Sequence, residues 1–250
     1  MRSMTTALIM ALMLAGPART GWAQTADEVL EKSVTAIGGR AALMKLKSRS
    51  MTGTIALSTP AGELEGTIEI LNAAPNRVRT LIKVDLTSLG AGQLTIDQRF
   101  NGTAGYVMDS LQGNRDMSGG QLDNMRTNSF PHPFLSYKEM GTTAKVGGKE
   151  KVGDRDAVVI IFEPTTGSVV RTYIDAETYL PLRSVLKVDV PQLGQEVEQS
   201  TDFSDYRVVD GVKLPFVLKS SSQVQNYTIT LTKVEHNVSI DDTLFSKPAQ

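Results

Sequence analysis

The stretch Arg77-Val78-Arg79-Thr80-Leu81-Ile82-Lys83-Val84-Asp85-Leu86 decides the fold. Val78, Thr80, Ile82, Val84 and Leu86 alternate with Arg77, Arg79, Lys83 and Asp85, and Leu81 is the one apolar residue on the polar side. Successive side chains of a strand point to opposite faces, so a period of two predicts a strand with one dry and one wet face. The pattern recurs on both sides of this stretch. Leu64, Ile68 and Ile70 alternate with Glu65, Thr67 and Glu69; Leu94, Ile96 and Phe100 alternate with Gln93, Thr95, Asp97 and Arg99; Leu182, Leu186 and Val188 alternate with Arg183, Lys187 and Asp189. Turn sequences fall between these runs at hairpin spacing, among them Pro60-Ala61-Gly62, Ala74-Pro75-Asn76, Asn101-Gly102, Gly153-Asp154 and Asp210-Gly211. No long helix interrupts them as a parallel βαβ unit requires, so the expected class is mainly β (α+β) with antiparallel strands.

Two other segments break the pattern. Thr25 followed by Glu28 forms a capping box, and Ala26, Leu30, Ser33, Val34 and Ile37 lie on one helical face before Gly38-Gly39. Arg40 to Lys47 adds a short second helical stretch. Residues 116–141, with Gly119-Gly120, Met125, Phe130-Pro131-His132-Pro133-Phe134 and Met140, show no period of two and read as a helical or loop insertion, a candidate lid. The alternative is that its Met and Phe side chains simply pack against the sheet. At the N-terminus, Arg2, the apolar run Thr5 to Gly16, Pro17 and Gly21-Trp22-Ala23 follow the order of a secretory signal peptide, with cleavage expected after Ala23. The apolar run is too short for the ~20 residues of a membrane-spanning helix. Residues 24–250 are therefore expected to form a single soluble domain, delivered to the periplasm if the chain is bacterial.

Composition excludes several functions. The chain has 250 residues, 26 basic and 27 acidic side chains, and no cysteine. Without Arg2 and Arg19 the mature chain carries 24 basic and 27 acidic groups, a net charge of −3, which argues against nucleic acid as a partner. The lack of cysteine removes disulfides, thiolate metal sites and cysteine nucleophiles. His132 and His236 are the only histidines, and HExxH is absent, so no metal is expected. Met117-Ser118-Gly119-Gly120 lacks the first glycine of a nucleophile elbow, and Gly147-Gly148-Lys149 lacks the spacing of a phosphate loop. Carboxylates such as Glu63, Glu65 and Glu69 are accounted for by wet strand faces. A catalytic pair built from distant strands is the remaining enzymatic alternative. The expectation is a non-enzymatic protein without a cofactor.

The informative feature is the surplus of one-sided strands over helices able to cover them. A strongly curled sheet without a partner sheet leaves an apolar concavity, and such cavities hold acyl chains through burial worth ~25 cal/mol per Å². Ile68, Ile70, Val78, Ile82, Val84, Leu86, Leu94, Ile96 and Phe100 are expected to line it, with Met125, Phe130 and Phe134 as its cover. The alternative is that helices at 26–47 and 116–141 fill the concavity.

Three stretches together resemble the LolA-like superfamily of periplasmic lipoprotein carriers, in particular its outer membrane lipoprotein-sorting protein branch. They are Ala26-Asp27-Glu28-Val29-Leu30 through Gly39 and on to Met51-Thr52-Gly53-Thr54; Ala74-Pro75-Asn76-Arg77-Val78-Arg79; and Asp205-Tyr206-Arg207-Val208-Val209-Asp210-Gly211-Val212-Lys213-Leu214-Pro215-Phe216 with Asp242 to Pro248. The resemblance implies an unclosed antiparallel barrel of about eleven strands with helices as a lid. It also implies lipids or lipoprotein acyl chains as ligands, and a monomer. The carriers typically have an arginine before the proline of the second stretch, tied to lid closure and lipoprotein release. Here that position is Ala74, and the alternation turns Arg77 and Arg79 away from the concave face. A sensor or adaptor that uses the same fold to bind an outer- or inner-membrane protein is the alternative function.

Overall fold

The capping box forms as the sequence predicts. Thr25 N–H donates to the Glu28 carboxylate at 2.9 Å, Glu28 N–H donates to Thr25 Oγ1 at 3.3 Å, and α1 runs Ala26–Ile37. Gly38, at φ 144°, turns the chain where an added Cβ would collide with the Gly211 carbonyl, and α2 (Arg40–Leu43) follows. The computed structural model describes residues 24–248 apart from 61 and 191–193. The leader and its expected cleavage site lie outside the described residues.

Among the described residues thirteen strands form one sheet in which every neighbouring pair is antiparallel. The first wing comprises β1 (Ser48–Thr59), β2 (Gly62–Ala73), β3 (Arg77–Asp85), β4 (Gln93–Phe100), β5 (Gly105–Asp109) and β6 (Arg115–Asp116). The second comprises β7 (Thr143–Val152), β8 (Arg155–Glu163), β9 (Val170–Asp175), β10 (Pro181–Val190), β11 (Gln195–Val209), β12 (Val212–Ser222) and β13 (Asn226–His236). The order is β6-β5-β4-β3-β2-β1-β13-β12-β11-β10-β9-β8-β7, so β1 and β13 join the wings and β6 and β7 are left as free edges. The sheet is an unclosed barrel, with two more strands than the resemblance implied. The very short β6, only two residues long, carries too little pattern to be read from sequence.

The chain must cross from the β6 edge to the β7 edge, and residues 117–142 make that crossing. They include α3 (Gly119–Thr127) and a 3-10 turn at Pro133–Leu135. Sharp curling near the wing junction needs bare backbone. A Cβ at Gly53 would meet the Thr230 carbonyl and one at Gly66 the Lys83 carbonyl.

The concave face is half plugged. Val29, Leu30, Val34 and Ile37 of α1, with Leu43 and Leu46, join Ile160, Phe162, Ile174, Val212, Leu214 and Phe216 in the main apolar core. The convex face carries two smaller clusters. One places Leu71 and Ala73 beneath Phe245 of the closing segment. The other holds Ala157, Val159, Tyr173, Leu182 and Val185. Leu182 therefore leaves the face expected for it, because a register shift between Pro181 and Arg183 breaks the period of two.

Candidate functional site

Where α1 does not reach, the concave face stays open as a cavity of about 560 Å³. Its apolar wall is Ile55 and Leu57 of β1, Ile68 and Ile70 of β2, Ile82 and Val84 of β3, Leu94 and Ile96 of β4, Val107 of β5 and Ile229 of β13. Six of the nine residues expected to line a cavity thus lie on its wall. Val78 and Phe100 face each other across β3 and β4 one row beyond Thr80 and Gln98, outside the cavity, and Phe100 is fully buried. Leu86 lies past Val84 at the other end of β3 and is also buried in the core.

The wet face is held in place by charge. Asp97, nearly inaccessible, accepts from Arg79 Nε and Nη2 at 2.9 and 2.8 Å and from Arg99 Nη2 at 2.8 Å. Burial raises the Asp97 pKa, but the two guanidiniums outweigh it and hold the carboxyl below its usual range. Arg77 pairs with Asp242 of the closing segment. Both arginines considered as stand-ins at the lid therefore engage partners on the convex side.

The insertion divides its work. α3 buries none of its residues, and from it only Gln121 reaches the cavity wall. Met125 is half-buried on this helix. Phe130 and Phe134 belong instead to the main core, where Phe134 stacks on Phe162 with ring centroids 5.6 Å apart. Polar clasps hold α3 at both sides of the open edge. Asn76 Nδ2 donates to the carbonyls of Met125 and Arg126, each at 3.1 Å, and Phe130 N–H donates to the Pro75 carbonyl at 3.1 Å. On the far side Asn124 Oδ1 accepts from Ser168 N–H at 2.8 Å, and its Nδ2 donates to Ser168 Oγ at 3.2 Å. The Ala74-Pro75-Asn76 turn thus holds two carbonyls of α3 through the Asn76 amide.

A guanidinium does reach the insertion, from β1. Arg49 is buried at 8% exposure, lies 5.2 Å from the Phe130 ring centre, and donates from Nε to His236 Nε2 at 3.1 Å. His236 Nδ1 meets Asp210 Oδ2 at 3.1 Å. The fold draws His132 and His236 toward the same cation, an arrangement that opposes a metal ion between them. Among the described residues no group of three or more His, Cys, Asp or Glu could hold a metal, and no helix is long and apolar enough to cross a membrane.

Sequence reasoning missed the cavity's polar lining, which includes Thr80, Gln98, Asp109, Arg115 and Gln121 on one side and Gln199, Ser222 and Gln225 on the other. Thr80 and Gln98 sit on faces whose other members are apolar, and that interruption was the available signal.

No family model and no curated protein matches the chain. Solved structures do. A DUF1329 family protein from Desulfovibrio piger aligns with a TM-score of 0.56 at 14% identity, over 87% of this chain and 95% of that one. A LolA superfamily protein from Nitrosomonas europaea aligns with a TM-score of 0.55 at 14% identity, over 90% of this chain and 99% of that one. An outer membrane lipoprotein-sorting type domain from Vibrio parahaemolyticus aligns with a TM-score of 0.54 at 13% identity, over 86% and 95%. The unclosed barrel with its crossing insertion is a LolA-like fold.

Proposed function

We propose that this chain is a periplasmic, non-enzymatic binding protein that holds lipids or lipoprotein acyl chains in its cavity and exchanges them by opening α3. One observation carries the reading: an open wall of inward isoleucine, leucine and valine side chains lies beside a crossing helix that buries none of its own residues. Burial of hydrocarbon at ~25 cal/mol per Å² supplies affinity without directional contacts, and a helix held by a few polar clasps opens at low cost. The LolA-like fold and the leader-like residues 1–23 support a periplasmic site of action.

The first test is native mass spectrometry of the mature protein purified from its periplasm, with organic extraction of whatever is bound. Co-purified phospholipid or acylated peptide is the expected result. A clean apo mass with no uptake of a fluorescent fatty acid would overturn the carrier reading and direct the search to a membrane-protein partner. Replacing Ile82, central in the wall, by Glu places a carboxylate among apolar side chains. Its desolvation cost of several kcal/mol should abolish fatty-acid uptake while circular dichroism shows the sheet intact. Normal uptake by the folded variant would refute the assignment of Ile82 to the binding surface.

A further inference from the structure

We propose that the cavity selects an amphiphile with an oxyanion head, carboxylate or phosphate, seating the head on Arg115 and running its hydrocarbon along the strands away from that point. This inference rests on the carrier reading and specifies its ligand.

The strand register orders the cavity into rows. Residues directly opposite one another on adjacent strands share a face. Arg115 faces Val107, Val107 faces Gln98, Gln98 faces Thr80 and Thr80 faces Ile70, so one row across the inner wall carries three polar side chains among five. The next row is Asp109, Ile96, Ile82 and Ile68, and the one beyond it Leu94, Val84, Gly66 and Ile55. On the first wing polarity therefore falls along the strand direction, from the Arg115 row to the aliphatic rows. A wall graded in this way matches a molecule with one polar and one apolar end.

The head is identified by what Arg115 lacks. Its Nη1 is buried and meets no hydrogen-bond acceptor among the described residues. A buried guanidinium donor without an acceptor is costly, and the planar fork fits the paired oxygens of a carboxylate or phosphate. The other charged group on the wall, Asp109, turns Oδ1 to the N–H groups of Leu111 and Gln112 at 2.9 and 3.0 Å, so it is engaged by its own turn. On the far wall Gln199, Ser222, Gln225 and Tyr227 are all uncharged, and Gln199 Nε2 donates to Tyr227 Oη at 3.3 Å. Gln121 of α3 lines the same space, which puts the lid helix within reach of an occupied site.

The test is calorimetric titration of delipidated protein with dodecanoate, dodecyl phosphate and dodecanol, which share one chain and differ in the head. Wild type should bind the two anions about ten-fold or more tighter than the alcohol, the factor expected of a charge-assisted hydrogen bond. In Arg115→Gln the anions should weaken to the level of dodecanol while dodecanol affinity stays unchanged. Arg115→Lys, which keeps the charge and loses the fork, should retain part of the preference and serves if the glutamine variant does not fold. Equal affinities in wild type, or an anion preference that survives in Arg115→Gln, would overturn the proposal and leave the carrier reading standing. Failure of all three to bind wild type would overturn both. The ranking of dodecanoate against dodecyl phosphate tells a free fatty acid from a phospholipid-like head.

Discussion

Arg49 and His132 show what burial does to two basic side chains facing each other. Arg49 loses solvent and is pushed down to about 10, and its Nη2 finds no acceptor among the described residues. His132 accepts the Phe134 N–H on Nδ1 at 3.3 Å, and burial followed by the charge of Arg49 pushes it down to about 3. His236, beside the same cation, is lowered by burial and Arg49 against the opposing pull of Asp210. A histidine held neutral in the folded state binds fewer protons than in the unfolded chain, where its pKa is ~6.5. Its contribution to stability is complete above about pH 6.5 and is lost as pH falls toward 3. His132→Asn keeps an acceptor for the Phe134 N–H and removes the titration. The variant should melt below wild type at pH 7.5, and the gap should narrow by several degrees at pH 4.5, read by thermal denaturation. A gap that does not change with pH would mean that His132 takes up its proton in the folded chain at the same pH as in the unfolded one, and would overturn the assignment of a depressed pKa.

At the scale of elements, α3 stands apart. α1 is anchored by the buried faces of Val29, Leu30, Val34 and Ile37, whereas α3 has no buried residue and relies on Asn76 and Asn124. The two side chains make four hydrogen bonds, each netting roughly 1 kcal/mol, so the double variant Asn76→Ala/Asn124→Ala should cost about 4 kcal/mol of local closure. Amide exchange over residues 119–127 should accelerate ten-fold or more, while α1 keeps its protection and the melting temperature moves little. Equal acceleration in α1 would show that the two helices open as one unit. The insertion was legible as a break in the period of two, but the division inside it was not. Met125, Phe130 and Phe134 look alike in sequence. Phe134 goes to the core on the 3-10 turn, and Phe130 joins it against Arg49 of β1.

For the whole molecule, the concave face is shared between a plug and a void. Both alternatives left open by the sequence are realised, each over part of the sheet. If the void is the binding site, a ligand that binds only the folded chain stabilises it by about 2.7 kcal/mol at 100 times Kd. In a domain of this size that corresponds to a rise in melting temperature of roughly 5–10 °C. The measurement is a melting curve with dodecanoate across a concentration series, and wild type should show a logarithmic rise that Ile82→Glu lacks. An equal rise in both would place the ligand elsewhere.

The amino-acid sequence by itself determined which residues share a face. Period two is a local property of the strand backbone, so Ile68, Ile82 and Ile96 point one way and Arg79, Asp97 and Arg99 the other wherever the strand goes. It likewise determined the start of α1, because a capping box closes within four residues. Only the tertiary structure decided how much of the concave face is hollow, since that depends on how tightly thirteen strands curl and how far α1 reaches across them. Register decided the rest. It set Arg115, Gln98 and Thr80 in one row across successive strands, and at Pro181–Arg183 it turned Leu182 to the opposite face, because pairing between strands is a relation that no single strand encodes.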